Sequence, residues 1–464
     1  MLNYFRFKKF NGQYLLTNDF GRYIFLDQGQ LRDLATGKLQ QGTDLWDRLE
    51  REGFVFAGSV PAFTAENTYQ MRDRKNYLFT ATSLHIFVVT TACNMNCVYC
   101  QANSGSRSTS GYMSRETAMR AVDVALQSPA RRLTFEFQGG EPLLNFSVIR
   151  AIVEYAESKK GDKHIQYSVV SNLTLLTDEM IAFFAQYQVG VSTSLDGPGW
   201  LHDANRPYCN GQAGTYTDVI AGVAKLRAAG IVVGAIQTTT RKSLAHAREI
   251  VDTYCDNGFH HIFLRPLTPL GCAGQQWKEI GYTPDAFIRF YQEALTYILE
   301  KNKQGNRLQE GHAAIFLSGI LHGYPINYME LRSPCGAAVG QMAYYHNGDV
   351  FTCDEGRMLY EMGNDSFRLG NVNEQQYADL VCSSACRAIC LSSVTEAIPA
   401  CCDCVYQPYC GICPVVNLAL YHDLMPKTPN HYRCGIYGGM LDTLFGWIQK
   451  NDEKIMEILE SWYT

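Results

Sequence analysis

The segment TACNMNCVYCQ contains three cysteines, Cys93, Cys97 and Cys100, directly after the apolar run HIFVV. Three thiols are an odd number for disulfides and one fewer than a closed tetrahedral zinc site uses. They can hold three irons of a 4Fe–4S cluster and leave the fourth iron without a protein ligand. Because an open metal position is typical of chemistry rather than scaffolding, the spacing favours a reactive iron–sulfur centre. A zinc site or incidental thiols are the alternative.

The composition is that of a globular protein, with 46% apolar and 18% charged residues among 464. The net charge of −5 gives no support to a nucleic-acid partner, which normally needs a basic surface. We find no secretory signal pattern and no apolar stretch long enough to span a membrane, so we expect a cytoplasmic protein. In a reducing cytosol, metal or iron–sulfur ligation explains 17 cysteines better than structural disulfides do.

The elements that must position these cysteines alternate between strands and helices over residues 84–305. Six runs are predicted as strands: HIFVVT (85–90), LTFEFQ (133–138), QYSVVS (166–171), VGVSTSL (189–195), VVGAIQT (232–238) and HIFLRPL (261–267). Helical patterns lie between them, so we expect an α/β fold whose parallel sheet is open or curled into a partial barrel. Ligands of such sheets bind at the carboxyl ends of the strands, where the cysteine loop would lie.

Two further regions flank this pattern. Residues 1–78 are predicted to form a small α+β unit, with a hairpin turning at NDFG, a helix in TDLWDRLE that closes into a short strand, and a polar helix or connector. After a helix over 284–303, we expect a linker at 306–330. Residues 331–464 hold 11 of the cysteines and are expected to have short, irregular secondary structure.

The triplet, with the aromatic Tyr99 before its third cysteine, resembles the radical S-adenosylmethionine (SAM) superfamily. The resemblance implies that SAM binds the open iron and yields a 5′-deoxyadenosyl radical that abstracts a substrate hydrogen. The motif GGEP would lie along the methionyl amine, and Arg206 could pair with the carboxylate of SAM. The residues expected at the cofactor are Tyr99, Gly139, Gly140, Glu141, Pro142, Ser171, Asn172, Ser194, Asp196 and Arg206.

The cysteines of the tail resemble the SPASM domain, a seven-cysteine extension that holds two auxiliary 4Fe–4S clusters. Three clusters are therefore expected, with Cys93, Cys97 and Cys100 at the first. The family pattern assigns Cys335, Cys353 and Cys413 to one auxiliary cluster, and Cys401, Cys404, Cys410 and Cys434 to the other. One spacing departs from the family, because two residues separate Cys410 from Cys413 where three are usual.

The first auxiliary cluster is then one ligand short. The candidates for that ligand are Cys272, Cys382, Cys386 and Cys390, between which spacing cannot choose. Buried thiols on one helix face are the alternative for the last three. For the tail as a whole the alternative is zinc, since Cys-x2-Cys pairs are typical of zinc ribbons.

Segments outside these motifs, such as NYFRFKKF and SVVSNLTLLTDEM, resemble the His-Xaa-Ser system radical SAM maturases. This resemblance implies a ribosomally made precursor peptide as the substrate, an oxidative cyclophane-type carbon–carbon crosslink as the product, and a flavodoxin- or ferredoxin-type electron donor. Residues 1–78 resemble modules that bind a leader peptide as an additional strand, although a structural cap on the barrel is the alternative.

Oxidation of a peptide by loss of two hydrogens also needs a base. The candidate catalytic residues are Asp354, Glu355, Glu330, Tyr328 and Arg265. Two rival functions stay open: formylglycine formation of the anaerobic sulfatase maturase type, and a zinc-binding adaptor without catalysis.

Overall fold

The computed structural model describes residues 1–102, 111–212, 214–427 and 431–462. The chain begins with a small α+β unit whose antiparallel sheet has the order β1-β2-β3. Its elements are β1 Arg6–Phe10, β2 Gln13–Thr17, β3 Tyr23–Leu26, α1 Gln28–Ala35, α2 Asp44–Arg51 and α3 Val60–Arg74. One face of the sheet packs on α1 and α2 through a small core that includes Leu16, Trp46 and Leu49.

The predicted hairpin at NDFG forms. The Asn18 carboxamide accepts hydrogen bonds from the backbone N–H groups of Phe20 and Arg22, which is the usual way in which asparagine stabilises a turn. Helix α2 begins after Thr43, whose hydroxyl accepts from the N–H of Trp46. The short strand predicted after α2 was wrong, because Val55 makes only an isolated bridge with Leu2 and the flanking phenylalanines are buried.

The six strands predicted for the barrel all form and pair in parallel in their chain order. They are β4 Leu84–Thr90, β5 Arg132–Gly139, β6 His164–Val170, β7 Gly190–Ser194, β8 Val233–Thr238 and β9 His261–Arg265. The helices of this region are α4 Arg115–Leu126, α5 Phe146–Lys159, α6 Asp178–Gln186, α7 Gly199–Asn205, α8 Thr215–Ala228, α9 Ala247–Asp256, α10 Gly271–Gln275, α11 Trp277–Ile280 and α12 Pro284–Lys303.

The core lies between the sheet and these helices. Phe135 and Phe137 on β5 are fully buried, in one cluster with Ile149 and Ile152 of α5. Residues that alternate with them, such as Glu136, face the opposite, concave side of the sheet. The hydrophobic face is therefore covered by helices, while the concave face is left for polar groups.

Residues 306–330, predicted as a linker, have secondary structure of their own. Strand β10 Gln309–Glu310 pairs in parallel with β9, and helix α13 Gly311–Leu321 follows it. Glu310 is fully buried and accepts hydrogen bonds from the N–H groups of Leu264 and Ala313 and from the hydroxyl of Tyr291. This segment therefore completes the open edge of the barrel instead of only connecting two regions.

The C-terminal region is more regular than expected. Its first strand pairs in parallel with β4, so the sheet continues to ten strands in the order β10-β9-β8-β7-β6-β5-β4-β11-β12-β13. The elements are β11 Gln341–Tyr344, β12 Asp349–Phe351, α14 Asp354–Tyr360, β13 Arg368–Asn371, α15 Tyr377–Val381, α16 Ser384–Leu391, α17 Pro414–Tyr421, α18 Tyr432–Lys450 and α19 Glu453–Ser461. The loops that carry most of the cysteines lie between these elements.

The N-terminal unit lies against the C-terminal region. The Arg6 Nε donates to the carbonyl of Cys402, and the Thr17 hydroxyl donates to the carbonyl of Val405. Lys8 pairs with Asp442 of α18 at 2.7 Å. None of the helices in the described part of the chain combines the length and the apolar character that a membrane span requires.

Candidate functional site

A cavity of about 230 Å³ opens at the carboxyl ends of the barrel strands. All three cysteines of the first triplet line it, together with residues that end β5, β6, β7, β8 and β9. The residues predicted at the cofactor that line it are Tyr99, Gly139, Gly140, Glu141, Ser171, Asn172, Ser194 and Arg206. Arg265, predicted as a catalytic candidate, also lines it. The fold therefore brings most of these separate motifs to one place.

The cysteine loop is held in position by the segment after α7. The N–H of Asn96 donates to the carbonyl of Pro207, and the N–H of Val98 donates to the carbonyl of Asn205. The N–H of Cys209 returns a hydrogen bond to the carbonyl of Asn94. These backbone contacts fix a loop that has no regular structure of its own, so the thiols keep defined positions.

The glycine motif is hydrogen-bonded directly to the start of the cysteine loop. The N–H of Gly140 donates to Thr90 O at 2.9 Å, and the N–H of Glu141 donates to Ala92 O at 2.8 Å. A Cβ atom at Gly140 would lie 2.1 Å from Ala92 O, which is far inside contact distance. A glycine is needed here because the two backbones approach so closely.

The carboxylate of Glu141 is engaged by the protein itself. It is 1% exposed and accepts hydrogen bonds from the N–H of Leu143, the hydroxyl of Ser171 and the N–H of Asn172. Burial raises the pKa of Glu141 to about 7, although these three donors oppose the rise. Glu141 therefore ties the ends of β5 and β6 together, and its carboxylate is already occupied by donors of the protein.

Two residues predicted at the cofactor are placed differently. Asp196 and Pro142 are not among the described residues that line the cavity. Asp196 is fully buried and accepts from the Tyr99 hydroxyl at 2.6 Å, while Arg206 Nε lies 3.4 Å from its other oxygen. Asp196 thus holds Tyr99 and Arg206 in place. Sequence spacing cannot distinguish this supporting role from direct contact with the cofactor.

Arg206 lies between this carboxylate and a cysteine. Its Nη1 is 3.9 Å from Cys97 Sγ, and its guanidinium lies over the Tyr99 ring with 5.3 Å to the centroid. Burial raises the pKa of Cys97 to about 12, with the charge of Arg206 opposing that rise. The thiolate is therefore costly at neutral pH unless a cationic centre compensates it, as a metal cluster does.

The thiol donors of the triplet fit an iron–sulfur cluster. No group of three His, Cys, Asp or Glu side chains placed to hold a single metal ion is found among the described residues. A 4Fe–4S cluster takes its thiolates at separate corners, so it does not need such convergence. Cys93, Cys97 and Cys100, spread around one cavity wall, match that requirement.

The cysteines of the tail form two groups. Cys335, Cys353 and Cys413 are buried. Burial raises the pKa of Cys335 and Cys353, and the charge of Cys413 adds to the rise in both. The second group lines a cavity of about 800 Å³ that extends to β1, and comprises Cys401, Cys404, Cys410 and Cys434. Burial, followed by the charges of the other three, raises the pKa of Cys410. Cys413 also lines this second cavity, so the two groups adjoin there.

The four candidates for the missing ligand are dispersed. The N–H of Cys272 donates to Cys100 O at 2.9 Å, which places Cys272 at the first triplet. Cys382 is exposed, whereas Cys386 and Cys390 hydrogen-bond to each other along α16. Ser393 links the last pair to the buried group, because its hydroxyl donates to Cys390 O and accepts from the N–H of Cys335.

Four of the five catalytic candidates form a charged network between the strand-end cavity and the buried cysteine group. Arg265 Nη2 lies 3.7 Å from Glu355, and Arg433 Nη1 lies 3.1 Å from Glu330. Burial raises the pKa of Glu330, but the guanidinium groups of Arg433 and Arg265 outweigh it and hold that pKa below its usual range. Burial also raises the pKa of Tyr328, and the charge of Glu330 adds to the rise.

The fifth candidate, Asp354, is directed elsewhere. Its Oδ1 lies 2.5 Å from the buried guanidinium of Arg357, and its charge acts on Glu136 of β5. Glu136 was missed in the sequence analysis. The sequence feature that could have identified it is the acidic residue in the strand LTFEFQ, at a position that alternates with the buried phenylalanines.

Sequence comparisons agree with this geometry. A profile of the Radical SAM superfamily matches residues 87–266. An uncharacterized protein of Methanocaldococcus jannaschii is 34% identical over 280 residues, which cover 60% of this chain and 87% of that protein. A cysteine-type anaerobic sulfatase-maturating enzyme of Clostridium perfringens is 23% identical over 308 residues, or 64% of this chain and 79% of that enzyme.

Solved structures share the fold. Native anSMEcpe with bound AdoMet has a TM-score of 0.69 and 21% identity, and covers 80% of this chain and 98% of its own. Streptococcus suis SuiB bound to precursor peptide SuiA has a TM-score of 0.55 and 15% identity, and covers 91% of this chain and 96% of its own. Fold, superfamily profile and the close archaeal relative agree, and the chain belongs to the radical SAM superfamily.

Proposed function

We propose that this protein modifies a ribosomally made precursor peptide through a 5′-deoxyadenosyl radical. The observation that carries the proposal is the strand-end cavity, which joins the cysteine triplet, the glycine motif and Arg206, and lies next to a charged network leading to a second cysteine group. Radical SAM proteins use SAM and a 4Fe–4S cluster, and the related SuiB was solved with a peptide bound.

The cofactor, when bound, supplies the radical chemistry. Cys93, Cys97 and Cys100 hold the cluster through their thiolates. The backbone at Gly139 and Gly140 would receive the methionyl part of SAM, and Arg206 and Asn172, which line the same cavity, would supply polar contacts. The buried wall behind them excludes water from this end of the barrel, which protects a reactive species.

We further propose two auxiliary 4Fe–4S clusters at the two tail groups. Cys335, Cys353 and Cys413 hold the one behind the charged network, with Cys390 as a candidate for its fourth ligand. The second is held by Cys401, Cys404, Cys410 and Cys434. Such clusters would accept the electron that must leave the peptide when a crosslink removes two hydrogens. A flavodoxin- or ferredoxin-type partner is proposed as the external electron donor.

The proposed product is a cyclophane-type carbon–carbon crosslink. Its formation also requires a proton acceptor near the peptide, for which Asp354, Glu355 and Glu330 are the carboxylate candidates. Arg265 lines the cavity and Tyr328 lies beside it in the same network, so both are placed to contact a peptide rather than to take its proton.

The N-terminal unit is proposed to bind the leader of the precursor. A groove of about 510 Å³ runs along β3 and is lined by residues 22–25, Arg48 and the end of α13. Strand β3 is an edge of its sheet, so an extended peptide can pair with its backbone. Arg48 Nη2 donates to Phe25 O at 3.2 Å, and this contact must yield to a bound strand.

Co-expression with the peptide encoded beside the gene tests the whole proposal. We expect the peptide to lose two hydrogens in mass, and the Cys97→Ala variant to leave it unchanged. A peptide that keeps its mass with iron-loaded enzyme contradicts the proposal.

Formylglycine formation is the second candidate function, favoured by the likeness to the C. perfringens maturase over 79% of that enzyme. A sulfatase-derived peptide containing the target Cys or Ser distinguishes it when the product is treated with a hydrazide, because formylglycine carries an aldehyde that reacts and a crosslink does not. Mass alone separates the two only at a Cys target, since oxidation of Ser to formylglycine also loses two hydrogens. A colourless protein that contains zinc but neither iron nor sulfide after anaerobic purification would instead favour the adaptor.

A further inference from the structure

One carboxylate on the concave face of the barrel has no positively charged partner in the part of the chain that the structure describes. Glu136 lies in the centre of β5, between Phe135 and Phe137, which point to the opposite side. It accepts hydrogen bonds from Gln138 Nε2 at 2.5 Å and from Ser168 Oγ at 3.4 Å, and both donors are neutral. It is only half-buried, so part of its side chain is accessible to solvent.

The other carboxylates near the concave face are each paired. Asp354 is paired with Arg357, Glu355 with Arg265, and Glu330 with Arg433. Within the described residues, no Lys, Arg or His lies within 4.0 Å of Glu136. The charge that acts on it is that of another carboxylate, Asp354.

This arrangement is unfavourable in the protein alone. Burial raises the pKa of Glu136, the amide of Gln138 opposes the rise, and the charge of Asp354 adds to it. A partly buried carboxylate that lacks a cationic partner is less favourable than a paired one, and charges withdrawn from water are usually paired or bind a ligand. Gln138 and Ser168 orient the oxygens of Glu136 without neutralising their charge, which leaves the position prepared for a cation.

Its distance from the cavity suits a peptide side chain. Glu136 lies three residues before Gly139, which lines the strand-end cavity. At the rise of a strand, this separation is roughly 10 Å. A lysine or arginine one or two residues from the reacting position of an extended peptide spans such a distance.

We propose that Glu136 binds a positively charged side chain, lysine or arginine, of the peptide substrate, next to the residue that is modified. The inference rests on the proposed peptide substrate and adds a requirement on its sequence. Glu136 is a specificity-determining residue in this account, and Gln138 and Ser168 position it.

An affinity selection that needs no turnover tests this inference. Reconstituted holoenzyme is incubated anaerobically with an equimolar mixture of octapeptides that differ at one position, which is Lys, Arg, Gln, Glu or norleucine. Retained peptides are quantified by mass spectrometry after ultrafiltration. We expect about tenfold greater retention of the Lys and Arg peptides over Gln and norleucine, as for a partly desolvated ion pair.

The matched variants are Glu136→Gln and Glu154→Gln, the latter removing an exposed carboxylate from the outer helix α5. The preference should disappear in the first and persist in the second. Equal retention of charged and neutral peptides by the unmodified enzyme overturns the inference and needs no variant to fold. An unchanged preference in Glu136→Gln overturns it as well. If no octapeptide is retained and the co-expressed precursor also keeps its mass, the proposed function fails with it.

Discussion

The chemistry proposed here depends on single side chains around the cysteine triplet. Arg206 contacts Cys97, Asp196 and Tyr99 at once, so one guanidinium links the thiol, a fully buried carboxylate and the aromatic residue of the motif. The Cys97 thiol is costly to ionise without a compensating centre, as its raised pKa of about 12 shows. A thiol in that setting is inert until a metal cluster is bound.

Replacing this thiol should therefore remove both the cluster and its activity. We expect Cys97→Ala to abolish 5′-deoxyadenosine release and to lower the iron content by about one cluster, because the remaining two ligands cannot hold a site that needs three. Iron analysis and chromatography of the nucleoside measure the two effects. Cys255→Ala on α9 is the control and should retain both; full deoxyadenosine release by Cys97→Ala would refute the assignment.

Residue identity was easier to predict than residue orientation. The spacing of Cys93, Cys97 and Cys100 and the GGEP motif led to residues that do line one cavity. Asp196 was assigned to the cofactor from the same kind of motif, and its carboxylate is fully buried against Tyr99 and Arg206, outside the residues that line the cavity. An alternating sequence pattern predicts that a residue lies at the end of a strand. Whether its side chain contacts the ligand or supports a neighbouring residue depends on long-range packing, which the local sequence does not specify.

At the scale of elements, two loops are fixed by one backbone contact. Gly140 and Ala92 approach so closely that a Cβ atom at Gly140 would lie 2.1 Å from a carbonyl oxygen. The loop after β5 therefore positions the loop after β4, and the cofactor cavity depends on both. Any side chain at this position must push the two loops apart.

We expect Gly140→Ala to weaken SAM binding by about tenfold and to cost about 1–3 kcal/mol of stability, the range typical of overpacking. Equilibrium binding of SAM and denaturant unfolding measure the two quantities. Gly234→Ala on β8 is the matched control, because its Cβ would meet nothing closer than 4.0 Å. Unaltered SAM affinity in Gly140→Ala would show that the loop contact is dispensable.

If the leader of the precursor binds in the groove along β3, a crosslinker placed in that groove should capture it. A photoreactive benzoylphenylalanine in place of Arg22, which lines the groove, should crosslink to the precursor. The same group in place of Lys9, exposed on the opposite edge strand β1, should not. Mass spectrometry of the crosslinked peptide identifies the site, and crosslinking from Lys9 alone would move the leader to the other edge.

Some elements could not be predicted for a physical reason. The sequence GHAAIFLSGIL of α13 is apolar on nearly every side, so it lacks the amphipathic period that identifies a surface helix. Strand β11 has only four residues, and its partner β4 lies some 250 positions earlier in the chain. Local patterns contain no information about such pairing, whereas the six longer strands of the barrel are bounded by clear breaks.

For the whole molecule, the pairing of β4 with β11 joins the barrel to the cysteine-rich region. His85 of β4 lies at this joint, fully buried, with its Nδ1 3.0 Å from the Tyr344 hydroxyl. Burial lowers the pKa of His85 from 6.5 to about 3, so the folded protein keeps the imidazole neutral. The joint is therefore sensitive to acid.

The sign of that sensitivity follows from proton binding. Because the pKa is lower in the folded state, the unfolded chain binds the proton first, and stability is lost as the pH falls below 6.5 towards 3, with no effect above 6.5. At about pH 5 the loss attributable to His85 is about 2 kcal/mol. We expect urea unfolding at about pH 5 and pH 7.5 to show this extra loss in the unmodified protein and not in His85→Gln.

His164→Gln, which removes an exposed imidazole from β6, controls for the general effect of losing a histidine. Its acid sensitivity should match that of the unmodified protein. Equal acid sensitivity of all three proteins would show that the joint between β4 and β11 does not govern stability at low pH.

The contact between the N-terminal unit and the cysteine-rich loop limits how this enzyme can be re-engineered. Arg6 and Thr17 donate to the main-chain carbonyls of Cys402 and Val405, which flank Cys404. A chimaera that exchanges residues 1–78 for those of another radical SAM protein would sever these contacts and disturb the loop that carries Cys404, a proposed cluster ligand. Transplanting the proposed recognition unit therefore requires that the 402–405 loop be exchanged together with it.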